Sequence, residues 1–260
     1  MIPLIEIKER AVAEGVPETT VIKDYVLSWM LKALNDVSDT FALKGGTGIR
    51  KAYVEGYRFS VDLDFTLTRR VDVREVLLST IRLAKTESGI EFEEDLILRS
   101  VRTGYEAKVM FRLYYRFPMR IKIDVTTPEN EVIVLPLERR QLIHPYSDEC
   151  DALLLVYSLK EIFAEKVRSL IERTRPRDLY DVWYLSRMVG LEEVVPVIMR
   201  KFEHRGLELR MERLLERREV FRAAWERSLK NQLRELPNFD QVFAEVERTL
   251  GTISRFIKKA

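Results

Sequence analysis

The chain has 260 residues, with 44 Lys+Arg against 42 Asp+Glu for a net charge of +2, and 46% of its positions are hydrophobic while 33% are charged. That length and apolar content support a sizeable core without disulfides or a structural metal, and the single Cys150 excludes a disulfide framework. Two histidines, His144 and His204, leave too few ligands for an ordinary zinc site, so any chemistry here must rest on carboxylates, lysines and arginines. No run of about 18 apolar residues and no signal-peptide pattern is present, which points to a cytoplasmic protein with no membrane partner. The near-neutral total divides unevenly. Residues 1–150 hold 22 basic and 24 acidic side chains (−2), and the other 110 hold 22 and 18 (+4), a modest basic excess that suits an anionic partner only weakly.

In chain order, Pro17 and Glu18 open a helix over residues 17–35, in which Ile22, Val26, Trp29, Met30 and Ala33 recur at helical spacing. FALKGG (41–46) reads as a short strand stopping at a glycine pair, with a helical segment leaving that turn from Thr47 to Tyr53. VDLDFTL (61–67) alternates with period two, so Val61, Leu63, Phe65 and Leu67 face one way and Asp62, Asp64 and Thr66 the other. Asp72 with Glu75 three positions on predicts a capped helix over Val73–Glu87, closed by Gly89. DLILRSV, EAKVMFRLYY, RIKIDVT and EVIVL, between Asp95 and Leu135, predict strands punctuated by Gly104, Pro118 and Pro128. Pro136–Ser147 reads as a connector, and beyond Asp151 the chain predicts helices: 152–172, 177–188, a long charged helix over 208–230, and 239–257. The expected fold is therefore α+β, a mixed or antiparallel sheet with flanking helices over residues 1–147, followed by an all-α domain over 148–260.

Asp62 and Asp64, two apart on one strand face, have Cα atoms about 7 Å apart. Carboxylate oxygens brought within ~4 Å would repel by about 4 kcal/mol at an effective dielectric near 20, and a bound divalent cation removes that penalty. Mg²⁺ suits an all-oxygen site that shares its shell with phosphates. A bare DxD also suits a solvated strand face. RIKIDVT supplies a third carboxylate, Asp124, opposite Ile121, Ile123 and Val125, with Lys122 on the same face as Asp124. Were this strand to pair with the first, three carboxylates would meet at one point, as metal-assisted nucleotidyl or phosphoryl transfer requires. Lys122 fits a salt bridge to these acids and a nucleotide contact equally well. Lys44–Gly48 (KGGTG) provides close backbone approach, N–H groups at a helix start and the Thr47 hydroxyl for a triphosphate, although it matches neither a Walker A loop nor GxGxxG. Arg58 and Ser60 stand just before the DxD and could add phosphate contacts.

The run LKGGTGIRKAY…YRFSVDLDF resembles the nucleotidyltransferase motif of the DNA polymerase β superfamily, and specifically that of the AbiEii abortive-infection toxin family. KEIFAEKVRSLIERTRPRDLYDVWYL is similar to the same family's helical segment, with its EK and RDxxD elements. The resemblance spans roughly residues 41–185. It implies an Mg²⁺-dependent transfer of a nucleotide from an NTP to a hydroxyl acceptor, with RNA or tRNA as a plausible acceptor, and a toxin restrained by a cognate antitoxin. In this chain it implies that Gly45, Gly46 and Thr47 hold the triphosphate, with Arg58 and Ser60 nearby. Asp62, Asp64 and Asp124 bind metal, and Asp124 also serves as base for the acceptor hydroxyl. Lys122 and Thr126 lie near the nucleotide, Lys166 contacts phosphate, and Asp178 and Asp181 are the RDxxD acids. Two departures stand out: Gly48 replaces the alanine common after the threonine, and fourteen residues separate Thr47 from Asp62. Read without the resemblance, Lys166 also fits a charged helix face, and Asp178 fits any helix start. Arg210, Arg213 and Arg217 fall on one stripe of the long helix, either as a positive ridge for nucleic acid or as arginines lying along a core edge.

Overall fold

A computed structural model describes residues 1–259, which form two compact units, one of Met1–Glu131 with Leu137–Tyr157 and one of Val132–Pro136 with the chain from Ser158 onward. The first unit contains α1 (Leu4–Glu14), α2 (Glu18–Val37), β1 (Phe41–Lys44), α3 (Gly45–Ala52), β2 (Asp62–Leu67), α4 (Val73–Ser88), β3 (Glu91–Phe92), β4 (Ile97–Val101), β5 (Gly104–Arg112), β6 (Met119–Thr126), β7 (Glu138–Gln141) and β8 (Leu153–Val156). Its strands form one mixed sheet in the order β3-β5-β6-β2-β1-β8-β7, with β4 pairing β5. Most pairs are antiparallel, but β2 runs parallel to β6 and β1 parallel to β8.

Period-two alternation gives this sheet an apolar face. Leu43, Leu63, Phe65, Leu67, Ala107, Val109, Phe111, Ile121, Ile123 and Val125 are all buried, each large side chain contributing roughly 1.5–3 kcal/mol. Leu31 and Leu34 of α2 line one small cavity with Phe41, Leu43 and Phe65 on this side, and α2 packs along α4. α4 starts where predicted, with the Asp72 side chain accepting a hydrogen bond from the Glu75 N–H at 3.1 Å, and it stops at Gly89 in left-handed backbone.

The second unit is built from α5 (Leu159–Glu172), α6 (Pro176–Leu185), α7 (Leu191–His204), α8 (Met211–Leu215), α9 (Arg218–Leu229) and α10 (Phe239–Lys259). Phe163, Val167, Leu179, Val182, Ile198, Phe202, Phe243 and Val246 fill its interior. Among the described residues, no helix is long and apolar enough to cross a membrane.

Several expected elements differ. Residues 153–156 are strand rather than the start of a helix, because Val156 pairs with Leu43 of β1 and the Tyr157 N–H continues to the Leu43 carbonyl at 3.0 Å. The sheet thus runs nine residues past the expected boundary at 147/148, to Val156, and α5 begins only after Ser158, whose hydroxyl caps the Glu161 N–H. The 136–147 connector contains β7, which pairs with that same strand. Conversely, EVIVL forms no strand. Its backbone is taken by side chains of the second unit: the Glu161 carboxylate accepts the N–H groups of Val134 (2.8 Å) and Leu135 (2.7 Å), and the Lys201 ammonium donates to the Val132 carbonyl. The long helix over 208–230 is two helices, broken where Arg217 leaves helical geometry (φ −98°, ψ 6°) and its guanidinium donates to the Ile171 carbonyl at 3.1 Å. Arg210 precedes α8 and pairs with Glu208 at 2.7 Å, so Arg210, Arg213 and Arg217 do not share one helical stripe. Leu214, Phe221 and Trp225 of this stretch are buried.

Candidate active site

The parallel pairing of β2 with β6 sets the geometry on the polar face of the sheet. Its register places Asp64 directly beside Asp124 and Asp62 beside Lys122. Neighbouring strands lie about 4.8 Å apart, so Asp64 and Asp124 are side by side and Asp62 stands one step along. The same row continues outward, with Lys44 opposite Asp64 on β1 and Glu106 opposite Asp124 on β5. Thr126 ends the polar face of β6, level with Thr66.

The glycine turn is packed against this strand residue by residue. Gly45 has φ +70°, and a Cβ there would stand 2.7 Å from Asp64 Oδ2. A Cβ on Gly46 would stand 2.7 Å from Arg58 Nη2 and 2.9 Å from Ser60 Oγ. Any side chain at either position would therefore drive into the polar groups beside it. Thr47 is fully buried, and its hydroxyl donates to the Asp62 backbone carbonyl at 2.5 Å. Through that bond the hydroxyl clasps α3 to β2. Arg58 and Ser60 are both buried, with Arg58 Nη1 donating to the Phe59 carbonyl at 3.2 Å.

Asp124 Oδ2 accepts from Lys122 Nζ at 2.8 Å, while Oδ1 is buried with no hydrogen-bond partner among the described residues. Glu106 lies 3.6 Å from the same ammonium. Burial pulls Lys122 down, but the hydrogen bond and charge of Asp124, then Glu106 and Asp62, outweigh it and raise its pKa above the usual lysine value. Lys122 is thus a counter-ion among these carboxylates. Among the described residues, no three acids, histidines or cysteines close around one point as a ready-made metal cage. Even so, the donor chemistry fits a hard divalent cation: only carboxylate oxygens are offered, two of the acids are cross-strand neighbours, and one carboxylate oxygen is buried without a donor.

A network not anticipated from the sequence holds α3 in place. Asp24, fully buried on α2, accepts from Arg50 Nε (2.7 Å), Lys51 Nζ (2.8 Å) and the Tyr146 hydroxyl (2.8 Å). Burial alone would raise the Asp24 carboxyl, but the charges of Lys51 and Arg50 and their hydrogen bonds hold it at about 2. Lys44 also went unremarked as a side chain. It is buried, 3.8 Å from Glu131 and 5.6 Å above the Tyr157 ring.

The remaining predicted residues gather within the second unit. Lys166 Nζ on α5 lies 3.1 Å from Asp178 Oδ1 and 2.7 Å from Asp181 Oδ2 on α6, and Arg173 Nε lies 2.8 Å from Asp178 Oδ2. Burial would raise Asp178, yet Lys166 and Arg173 keep it below the usual carboxylate value. Spacing of i, i+3 puts both aspartates on one face of α6, where one ammonium bridges them.

The sequence matches the family described as Nucleotidyl transferase AbiEii toxin, Type IV TA system, over residues 29–245. The chain belongs to the AbiEii nucleotidyltransferase toxin family. No curated protein matches it. Among solved structures it is similar to MenT4, a nucleotidyltransferase toxin from Mycobacterium tuberculosis H37Rv, with a TM-score of 0.70 at 19% identity over 98% of this chain and 90% of that one. JHP933 from Helicobacter pylori is similar with a TM-score of 0.61 at 16% identity, covering 94% of this chain and 95% of that one. A nucleotidyltransferase from H. pylori gives the same score and identity over 94% and 98%. At such identities the likeness speaks to the fold. Family membership makes this AbiEii chain an NTP-using nucleotidyltransferase of the toxin–antitoxin type.

Proposed function

We infer that this AbiEii protein transfers a nucleoside monophosphate from an NTP to a hydroxyl of RNA, with tRNA the favoured acceptor, in an Mg²⁺-dependent reaction in the cytoplasm, and that a cognate antitoxin restrains it. The observation that carries this reading is the Asp64–Asp124 pair on adjacent parallel strands, with Asp62 one step away and the glycine turn seated against it. Asp62, Asp64 and Asp124 would hold Mg²⁺, which when bound offsets the negative charge of carboxylates and phosphates and polarises the phosphoryl oxygens. Asp124 has a carboxylate oxygen without a donor among the described residues, which suits it to take the proton from the acceptor hydroxyl. The new bond joins the acceptor hydroxyl oxygen to the α-phosphorus as the bond from that phosphorus to the α–β bridging oxygen breaks, and pyrophosphate leaves with the electron pair. The backbone at Gly45 and Gly46, with Arg58 and Ser60, binds the triphosphate, while Thr47 positions the turn through Asp62. Thr126 lies near the nucleotide. Lys122 neutralises charge beside the α-phosphate, and Lys166, aligned by Asp178 and Asp181, contacts phosphate.

The test is pyrophosphate release from each NTP with total RNA and Mg²⁺. Asp64→Ala is expected to lower release by roughly a hundred- to a thousandfold, as removal of a principal electrostatic element of a site does. Release unchanged in that variant would remove the DxD from the reaction.

A further inference from the structure

The polar face of the sheet extends beyond the carboxylates, and what lies there has a distinct chemistry. The β5–β6 register puts Lys108 beside Lys122 and Met110 beside Arg120, while β4 adds Ile97 beside Lys108 and Arg99 beside Glu106. All of these side chains share the face of Asp64 and Asp124, because directly paired residues point the same way. Lys122 is occupied by Asp124 and Glu106. Arg99, Lys108 and Arg120 are different: among the described residues they have no ion-pair or hydrogen-bond partner, and Arg99 and Arg120 are exposed. Two large apolar side chains flank Arg99, Ile97 at 42% and Val101 at 40% exposure. Measured along the strands, Arg120 lies about 13 Å from Asp124, and Arg99 lies two strands, about 10 Å, from it on the other side of β5.

A small acceptor would fill only the space around Asp124 and would leave these three cations unused. A polymer with a phosphate at every step, and with flat apolar surfaces between phosphates, uses all of them. We propose that the open face of β4, β5 and β6 is the track on which the acceptor RNA lies as a single strand, with Lys108, Arg120 and Arg99 on its phosphates and Ile97 and Val101 against its bases or riboses. This rests on the nucleotidyl-transfer reading above and adds where the acceptor binds. The track leads its terminal hydroxyl to Asp124. Single strands are held in this manner, by cations following the backbone and sequence-tolerant contact with the bases.

The experiment uses the full chain and a short fluorescent single-stranded RNA with a free 3′ hydroxyl, titrated by anisotropy across a salt series. The variant Arg99→Gln/Lys108→Gln/Arg120→Gln is expected to reduce the slope of log K against log salt by about 2, from about 0.7 per lost phosphate contact. At fixed RNA its labelling should fall about tenfold or more, while NTP affinity is unchanged. Each single substitution should give about a third of the slope change, which guards against a folding defect in the triple variant. A control with the same charge change on α1 and α4, Lys8→Gln/Arg82→Gln/Lys85→Gln, should keep the wild-type slope. The track is overturned by an unchanged slope in the triple variant, by an equal loss in the control, or by wild-type protein that does not bind the RNA. Asp64→Asn separates the two readings. It should bind RNA like wild type while losing transfer, so persistent transfer in that variant would count against the chemistry and leave the track standing.

Discussion

A buried carboxylate oxygen without a donor costs a folded chain free energy, and among the described residues Asp124 Oδ1 is such an atom, on the strand beside Asp64. The arrangement makes sense if the oxygen is kept for a proton or a cation that arrives with substrate. Gly45 shows the same tension in the backbone. Its left-handed φ strains any residue with a Cβ, and the 2.7 Å approach of Asp64 Oδ2 to a would-be Cβ means that an alanine there must push the carboxylate aside. Gly45→Ala is expected to cost about 1–2 kcal/mol from backbone strain alone, and to displace Asp64 and so abolish transfer. Urea denaturation and NTP turnover on the same preparation check both effects. At this scale much was legible: the DxD and Asp124 follow from period-two alternation, and the glycine pair follows from its place between strand and helix. The role of Thr47 was not. Its hydroxyl bonds a backbone carbonyl fifteen residues away, and a carbonyl is present at every position, so nothing in the residue order marks that partner.

Among the elements, α3 depends on Asp24. The Asp24 carboxyl binds Arg50, Lys51 and Tyr146 inside the first unit, and removing one member of a buried ion network costs about 3–5 kcal/mol. Its folded pKa, about 2, lies below the model-peptide value of 3.8. The unfolded chain therefore takes up the proton first as pH falls, and the stabilisation, complete above about pH 4, is lost through about pH 2. That share amounts to about 2 kcal/mol. The stability gap between wild type and Asp24→Asn should therefore narrow by about that much between pH 5 and roughly pH 2, read from denaturant midpoints. A gap independent of pH would mean the carboxylate charge contributes nothing. The elements that escaped sequence reading share a cause. LLLV is a short apolar run whose strand identity comes from β1, more than a hundred residues earlier, and periodicity alone cannot separate a buried strand from a buried helix turn. EVIVL has the composition of a strand, but Glu161 and Lys201 take its backbone groups before a neighbouring strand can. α1 and α7 lie where helices were expected but carry no start signal as plain as the Asp72 cap, so neither had a predicted range.

For the molecule as a whole, the chain passes between its two units at 131/132, 136/137 and 157/158, and the five-residue segment is bound within the second by a buried charge cluster. Lys201 lies 2.8 Å from Glu161 and 3.4 Å from Glu165, with no exposed surface of its own. Lys201→Met would leave both carboxylates short of their cation, and a loss of about 3–5 kcal/mol is expected in thermal or urea unfolding. A loss below about 1 kcal/mol would show that Val132–Pro136 is held by other means. The net charge of +2 also takes on a spatial meaning: in the first unit, the carboxylates of β2 and β6 adjoin cations of β4, β5 and β6 on the same sheet face. The central claim is that an α-phosphorus is transferred to RNA through Asp64 and Asp124. The most direct measurement gives the purified protein RNA, Mg²⁺ and NTP labelled at either the α- or the γ-phosphorus. Label reaching RNA from the α position alone, and lost in both Asp64→Asn and Asp124→Asn, is the result expected. Label from the γ position, or α-label surviving both substitutions, would contradict it.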